Sequence, residues 1–306
     1  AGWHDITPVS SQGYSGLAVD RHDPSHLLAA QVENGFYNSI YRSTNAGVSW
    51  AEIAHEQQSD VPWWPDFFWS AATACIMMDP MDSAHVWYSD WYGVWMTDDI
   101  TAPTTHWYTC ETGHEEVVVL TLHSPNDGVG LLSGVADVDG FRHVSMDAYP
   151  TSRYFGAMNL GHTTSIDSCP SSPLFAVRCG AKGWNPSNLY NAGYSTNAGL
   201  TWTAFPGRPF DFARDGRIAV AASNTENIVW LPNSSVPYFT TNRGATWAVC
   251  NGAPTSPINT IWDRRCLLAA DKVLPATFYM WVGSRVYRSD NGGANWTEVN
   301  NSVPAS

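Results

Sequence analysis

Two aspartates two residues apart are the first candidates for chemistry: Asp137 and Asp139, in Ala136-Asp137-Val138-Asp139-Gly140. In a regular strand such residues share a face, and a like charge held that close disfavours ionisation of its neighbour. A carboxyl kept protonated is what a general acid needs. Taken alone, the pair reads as a turn. The densest aromatic run is Trp63-Trp64-Pro65-Asp66-Phe67-Phe68-Trp69. Adjacent aromatics cannot all enter one strand face, so some belong to a loop or to exposed surface. There Trp63 and Trp64 would stack on sugar rings; the alternative is packing between sheets. Trp91 and Tyr92, just before Asp98-Asp99, are candidates for the same cleft. The ten histidines form no HExxH-like ligand set, so the sequence calls for no metal and no other cofactor.

Composition narrows the ligand. Fifteen Lys and Arg stand against 28 Asp and Glu, a net charge of −13, and only Lys182 and Lys272 are lysines. A nucleic-acid partner needs a basic face, and an anionic membrane surface needs the same. Charged residues make up 14% and aromatics 13% of the 306 residues, a balance suited to a rigid β-protein that binds neutral polar ligands such as sugars. No apolar run reaches membrane-spanning length. The chain opens Ala1-Gly2-Trp3-His4-Asp5, without initiator Met or signal peptide, as a mature chain or a fragment would.

Six cysteines, none in a CxxC pair, argue against a structural zinc site. Their even number in a Lys-poor chain suggests disulfides and secretion into an oxidising compartment. Spacing favours Cys169–Cys179 and Cys250–Cys266, with buried free thiols as the alternative. Asn233, Asn295 and Asn300 begin Asn-x-Ser/Thr sequons and are candidate glycosylation sites.

The elements that would position these residues come from a repeat. Residues 43–50 read Ser-Thr-Asn-Ala-Gly-Val-Ser-Trp, and the frame Ser/Thr-x-Asn-x-Gly-x-x-Trp recurs at 195–202, 240–247 and 289–296. Its structural residues are Asn45 and Trp50, Asn197 and Trp202, Asn242 and Trp247, and Asn291 and Trp296. The steps from Asn197 to Asn242 and from Asn242 to Asn291 are 45 and 49 residues. A degenerate copy begins at Thr97-Asp98-Asp99. The hydroxyl and the Asn side chain suit a tight turn, the Gly a positive φ, and the Trp the start of the next strand. Four short strands in 45–50 residues are the size of a propeller blade. The expected fold is therefore all-β, a β-propeller of six to seven four-stranded blades. Residues 1–306 are expected to form one such domain, without a linker.

The turn frame resembles the Asp-box, or BNR, repeat of sialidases and related propellers, with Asn in place of the usual Asp. A narrower resemblance lies in Leu131-Leu132-Ser133-Gly134-Val135-Ala136-Asp137-Val138-Asp139-Gly140-Phe141-Arg142-His143. It continues through Thr163-Thr164-Ser165-Ile166-Asp167 to Val177-Arg178-Cys179-Gly180. This order is similar to the xyloglucan-active endoglucanases of glycoside hydrolase family 74, whose pattern runs Leu-Leu-Ser-Ala-Val-Gly-Asp-Ile-Gly-Gly-Phe-Arg-His. Upstream, Trp95-Met96-Thr97-Asp98-Asp99-Ile100 resembles their Ile-Trp-Ala-Thr-Asp-Asp-Leu.

The resemblance implies two seven-bladed propellers facing across a cleft and inverting hydrolysis of the β-1,4-glucan backbone of xyloglucan. It makes Asp137 the general acid, with Asp139 a modulator or alternative acid where the family pattern has Gly. Arg142 and His143 would contact substrate or hold the motif in shape. The chain matches the second, acid-bearing propeller; the N-terminal propeller and its Thr-Asp-Val/Ile-Gly-Gly-Ala-Tyr base motif have no counterpart here. An inverting glycosidase needs both carboxyl groups, so a partner propeller is expected to supply the base. A non-catalytic carbohydrate-binding or protein-binding propeller is the competing function. A sialidase fits poorly, since Gly207-Arg208-Pro209-Phe210 is a weak substitute for that family's Phe/Tyr-Arg-Ile-Pro motif.

Overall fold

The computed structural model describes residues 2–32, 38–113, 115–154, 158–182, 190–255 and 266–303. The chain divides into two compact units, Ala1–Glu116 and Val117–Ser306. Among the described residues there is no α-helix; the one helical element is a 3-10 turn at Asp66–Phe68.

Unit one holds two sheets. The first is a meander of β1 (Tyr14–Val19), β2 (Leu27–Gln31), β3 (Ile40–Ser43) and β4 (Ala51–Glu52). The second joins β6 (Cys75–Met78), β7 (Val86–Ser89), β8 (Val94–Thr97) and β9 (Thr104–Thr109), with β5 (Ala54–Gln58) added parallel to β9. Unit two holds four. The third sheet has β10 (Val119–His123), β11 (Leu131–Val135) and β12 (Gly140–His143), with an isolated Phe141–Arg153 bridge on β12. The fourth runs β13 (His162–Cys169), β14 (Ser172–Ala181), β15 (Ala192–Ser195) and β16 (Thr203–Ala204). In the fifth are β17 (Arg217–Ala221), β18 (Asn224–Leu231), β19 (Tyr238–Thr240) and β20 (Ala248–Val249). The sixth is β21 (Cys266–Ala270), β22 (Phe278–Val282), β23 (Arg285–Ser289) and β24 (Thr297–Asn300). Apart from the parallel β5, each is an antiparallel meander, the blade unit of a β-propeller.

Every framed turn joins the third strand of a sheet to the fourth. At 240–247 the Thr240 hydroxyl donates to Asn242 Oδ1 at 2.8 Å and accepts from the Gly244 amide at 3.1 Å. Asn242 Oδ1 accepts from the Thr246 amide at 2.9 Å, while its Nδ2 donates to Thr246 Oγ1 at 2.8 Å. Arg243 and Gly244 take φ of 51° and 76°. The same bonds close the turns at Asn45 and Asn197, and the Oδ1 bonds recur at Asn291. Because these bonds stay within eight residues, the turn forms wherever the frame occurs. The degenerate copy lies between β8 and β9, where Asp99 accepts from the Thr101 amide at 2.8 Å.

The frame's tryptophans pack inward. Trp202 and Trp296 are buried, Trp247 packs against Phe205 and Trp230, and Trp50 donates to the Ile6 carbonyl at 2.7 Å. In unit one, Trp69 lies 5.0 Å from Trp95, 5.4 Å from Trp107 and 5.2 Å from Tyr88, all four buried. Fully burying a large apolar side chain is worth about 1.5–3 kcal/mol, so this cluster dominates the unit's core. In unit two, Lys272 ties three sheets together. Its ammonium donates to Asp167 Oδ2 at 2.7 Å, Ser168 O at 2.9 Å and Val220 O at 3.4 Å.

The expected disulfides are not formed. Cys169 and Cys179 are buried free thiols. Cys169 pairs with Ser172 at the hairpin end while Cys179 pairs with Ser165, four residues along the strand. At about 3.3 Å per residue that separation exceeds the Cα distance of about 4.4–6.8 Å a disulfide spans. Cys250 is likewise a buried free thiol, so it does not pair with Cys266, whose side chain lies outside the described residues. Burial pushes the Cys179 and Cys250 thiols up to about 12. Asn295 and Asn300 are exposed, and Asn233 is half-buried.

Candidate active site

Asp137 and Asp139 sit in the connection from β11 to β12, and the chain there is not a strand. The Val138 amide donates to the Ala136 carbonyl at 2.8 Å, and the Gly140 amide to the Val138 carbonyl at 2.9 Å. These bonds close two consecutive three-residue turns, centred on Asp137 (φ 66°) and Asp139 (φ 70°). The positive-φ form of such a turn is rare and strained, and non-Gly residues in sparse backbone regions cost about 1–3 kcal/mol each.

The shared face expected of the pair is therefore absent. Asp137 is exposed and makes no hydrogen bond or ion pair with a described residue. Asp139 is 1% exposed, and every contact of its carboxylate is internal. Its Oδ1 accepts from Thr163 Oγ1 at 2.6 Å and pairs with Arg178 Nη1, and its Oδ2 accepts from the Leu160 amide at 3.0 Å. That burial and pairing leave no route to a substrate oxygen, so Asp139 is misplaced as an alternative acid and is a structural anchor instead.

Arg178 is wholly buried on β14. Its Nη2 donates to the Met158 carbonyl at 2.6 Å, and Nη1 also reaches Thr163 Oγ1 at 3.1 Å. The guanidinium lies 4.7 Å from the Tyr154 ring centroid and 4.6 Å from that of Trp202, in cation–π contact with two rings that meet each other edge to face at 5.4 Å. Trp202 is a tryptophan of the repeat frame, so the repeat and the site share a wall. Gly140 makes room for this packing: a Cβ there would lie 2.1 Å from Ser133 O and 2.6 Å from Tyr154 Cε2.

Arg142 and His143 both serve the local architecture. Arg142 donates from Nε to the Ala198 carbonyl at 3.0 Å and from Nη2 to the Gly128 carbonyl at 2.9 Å. His143 Nε2 bonds Ser133 Oγ at 2.9 Å, and burial holds its imidazole below the ordinary value.

Sequence reasoning assigned no role to Arg178, Thr163 or the Leu160 amide. The available signal was an arginine inside the apolar run Phe175-Ala176-Val177-Arg178-Cys179, since a buried strand arginine needs a carboxylate partner. A second buried pair in this unit, His162 Nε2 to Asp215 Oδ1 at 2.7 Å, was also unassigned.

The aromatic candidates lie in unit one. Trp63 is 7% exposed, and Trp64 packs edge-on against Phe68 at 5.0 Å and Trp95 at 6.3 Å. Burial removes Trp63 from the expected stacking platform, whereas Trp64 is only partly buried against the core. Tyr92 stacks face to face on Phe68 at 3.6 Å, so one face is occupied. Trp91 is 73% exposed. Its loop is organised by Asp90, whose carboxylate accepts from the amides of Tyr92 and Gly93 and from Trp95 Nε1 at 2.9, 3.0 and 3.0 Å. Burial pushes the Asp90 carboxyl up to about 6 despite these donors.

Among the described residues, no group of three or more His, Cys, Asp or Glu could hold a metal ion, and no helix is long and apolar enough to cross a membrane.

No family model matches the chain. A xyloglucanase of a Paenibacillus species is 26% identical over 337 aligned residues, covering 97% of this chain and 31% of that protein. An oligoxyloglucan-reducing end-specific xyloglucanase of Emericella nidulans is 26% identical, covering 96% of this chain and 45% of that protein. The crystal structure of the family 74 xyloglucanase from Xanthomonas campestris superposes with a TM-score of 0.81 at 28% identity, over 100% of this chain and 44% of that one. A family 74 enzyme from Niastella koreensis, at 24% identity and a TM-score of 0.77, shares the fold over 98% of this chain and 43% of its own. The chain spans less than half the length of these relatives. Over nearly all of its length it is similar to the xyloglucanases of glycoside hydrolase family 74.

Proposed function

We propose that this chain is the general-acid-bearing part of a secreted, inverting endo-β-1,4-glucanase acting on xyloglucan. Residues 1–306 then correspond to the family's second propeller. The observation that carries the proposal is the Asp137 turn. In a chain similar to xyloglucanases end to end, one carboxyl group of a strained turn faces solvent while its neighbour is fixed behind it.

In this mechanism Asp137 gives its proton to the glycosidic oxygen as the bond to the anomeric carbon breaks. A water activated by a carboxylate on the opposite sugar face attacks that carbon, with the two carboxyl groups about 6.5–9.5 Å apart. The base comes from a partner propeller, because the family's base motif has no match in the sequence. Trp91 offers a ring face for a glucosyl unit. The −13 charge disfavours polyanionic glycans as substrates.

The test is to assay the chain on xyloglucan with and without a family-type base-bearing half. Cleavage only in the combined sample is expected. Full turnover by the lone chain would place the base within it. Glucan binding without turnover in either sample would favour the non-catalytic carbohydrate-binding propeller.

A further inference from the structure

We infer that Asp139, Thr163 and Arg178 form a positioning clamp that fixes the backbone of the Asp137 turn. The claim that this serves catalysis rests on Asp137 being the acid. The main observation is how the strained turn is secured. A backbone with two successive positive-φ aspartates relaxes unless its surroundings over-determine it. Here the fastening is not local. Asp139 reaches β13 through Thr163, β14 through Arg178 and the preceding segment through the Leu160 amide.

Backbone bonds close the same frame: the Asp139 amide donates to the Gly161 carbonyl at 3.0 Å and the Val135 amide to the Asp139 carbonyl at 3.1 Å. Arg178 is in turn held by Met158 O and packed against the Tyr154 and Trp202 rings. Asp137 itself contributes no side-chain bond to a described residue. The backbone path that carries it is therefore set through residue 139, and its exposed carboxyl group is committed to no described residue.

Asp139→Asn isolates this role. Asn tolerates positive φ and keeps one acceptor for Thr163 and Arg178. The charge is lost in either orientation of the amide, and its NH2 faces either the Leu160 amide or the Arg178 and Thr163 donors, so at least one fastening fails. Two readouts decide the matter. Hydrogen–deuterium exchange over residues 135–141 and 158–163 is expected to speed up about tenfold or more, the scale of a lost bond to a charged group. Exchange in unit one should stay unchanged. On xyloglucan, with the base-bearing half present, kcat should fall about tenfold or more while KM stays within about twofold, because positioning acts on the transition state.

Unchanged exchange, or faster exchange with wild-type kcat, overturns the clamp. If Asp137→Asn also keeps wild-type turnover, it is the acid assignment that fails, and exchange alone then judges the clamp. Should Asp139→Asn not fold, Thr163→Val removes one hydroxyl from the network. It is expected to move both readouts in the same direction by a few fold, and wild-type values for it would overturn the proposal.

Discussion

Asp90 and Asp137 occupy the same station in successive sheets, the connection between second and third strands, yet their carboxyl groups do opposite things. Asp90 turns inward and holds its own loop through two amides and an indole N–H. Asp137 is exposed and bonds no described residue through its side chain, while Asp139, two residues on, anchors the turn to Arg178. A turn can be fastened by its first aspartate, whose carboxylate is then committed. It can instead be fastened by a second one, which leaves the first at liberty to react. The cost of the second arrangement is a buried ion pair and two strained residues, and cost of that kind concentrates at functional sites.

The comparison breaks most visibly at the ion pair. Arg178→Met should destabilise unit two by about 3–5 kcal/mol, because it strands a buried carboxylate. The double variant Asp139→Leu with Arg178→Met should recover much of that stability, yet not the turnover. Urea unfolding of the three proteins checks this, and a single variant as stable as the wild type would contradict it. Gly140→Ala comes next: the new methyl would meet Ser133 O at 2.1 Å. A loss of about 1–3 kcal/mol, typical of overpacking, should appear in the same measurement. Asn242→Ala removes two Oδ1 acceptances and one Nδ2 donation in a turn that is otherwise self-contained. It should cost about 1–2 kcal/mol and leave the Asp137 turn's amide exchange untouched.

A further effect, confined to the pH dependence, concerns Asp90. Its folded-state value is raised to about 6 from 3.8, so the fold favours the protonated form. Its stabilising contribution is complete below about pH 4 and is lost as pH rises through about 6. Asp90→Asn, neutral at every pH, should flatten the stability profile between those limits. Thermal melts at pH 4, 5, 6 and 7 would show it, and an unaltered slope would refute the assignment.

What could be read from the sequence follows the range of the interactions. The framed turns were legible because Ser/Thr, Asn and Gly bond within eight residues, and their spacing gave the sheets. The Asp137–His143 string was legible as a resemblance. The orientation of its two aspartates was not, because a strand's two-residue period was assumed where two positive-φ turns occur. Arg178 escaped because its partner lies 39 residues away. Trp63 was misjudged for a similar reason: its side chain turns inward, and composition says nothing of direction. The cysteine pairs failed because hairpin register, not spacing along the chain, sets Cα distances.

The central claim is that Asp137 supplies the proton to the leaving oxygen. The most direct test compares wild type with Asp137→Asn, each with the base-bearing half, on xyloglucan and on a xyloglucan oligosaccharide carrying a dinitrophenyl leaving group. A lost general acid costs about 10²–10⁴-fold on the natural substrate, and little where the leaving group departs without a proton. The account predicts that split, with substrate binding retained. Equal losses on both substrates, or wild-type turnover on xyloglucan, would contradict it.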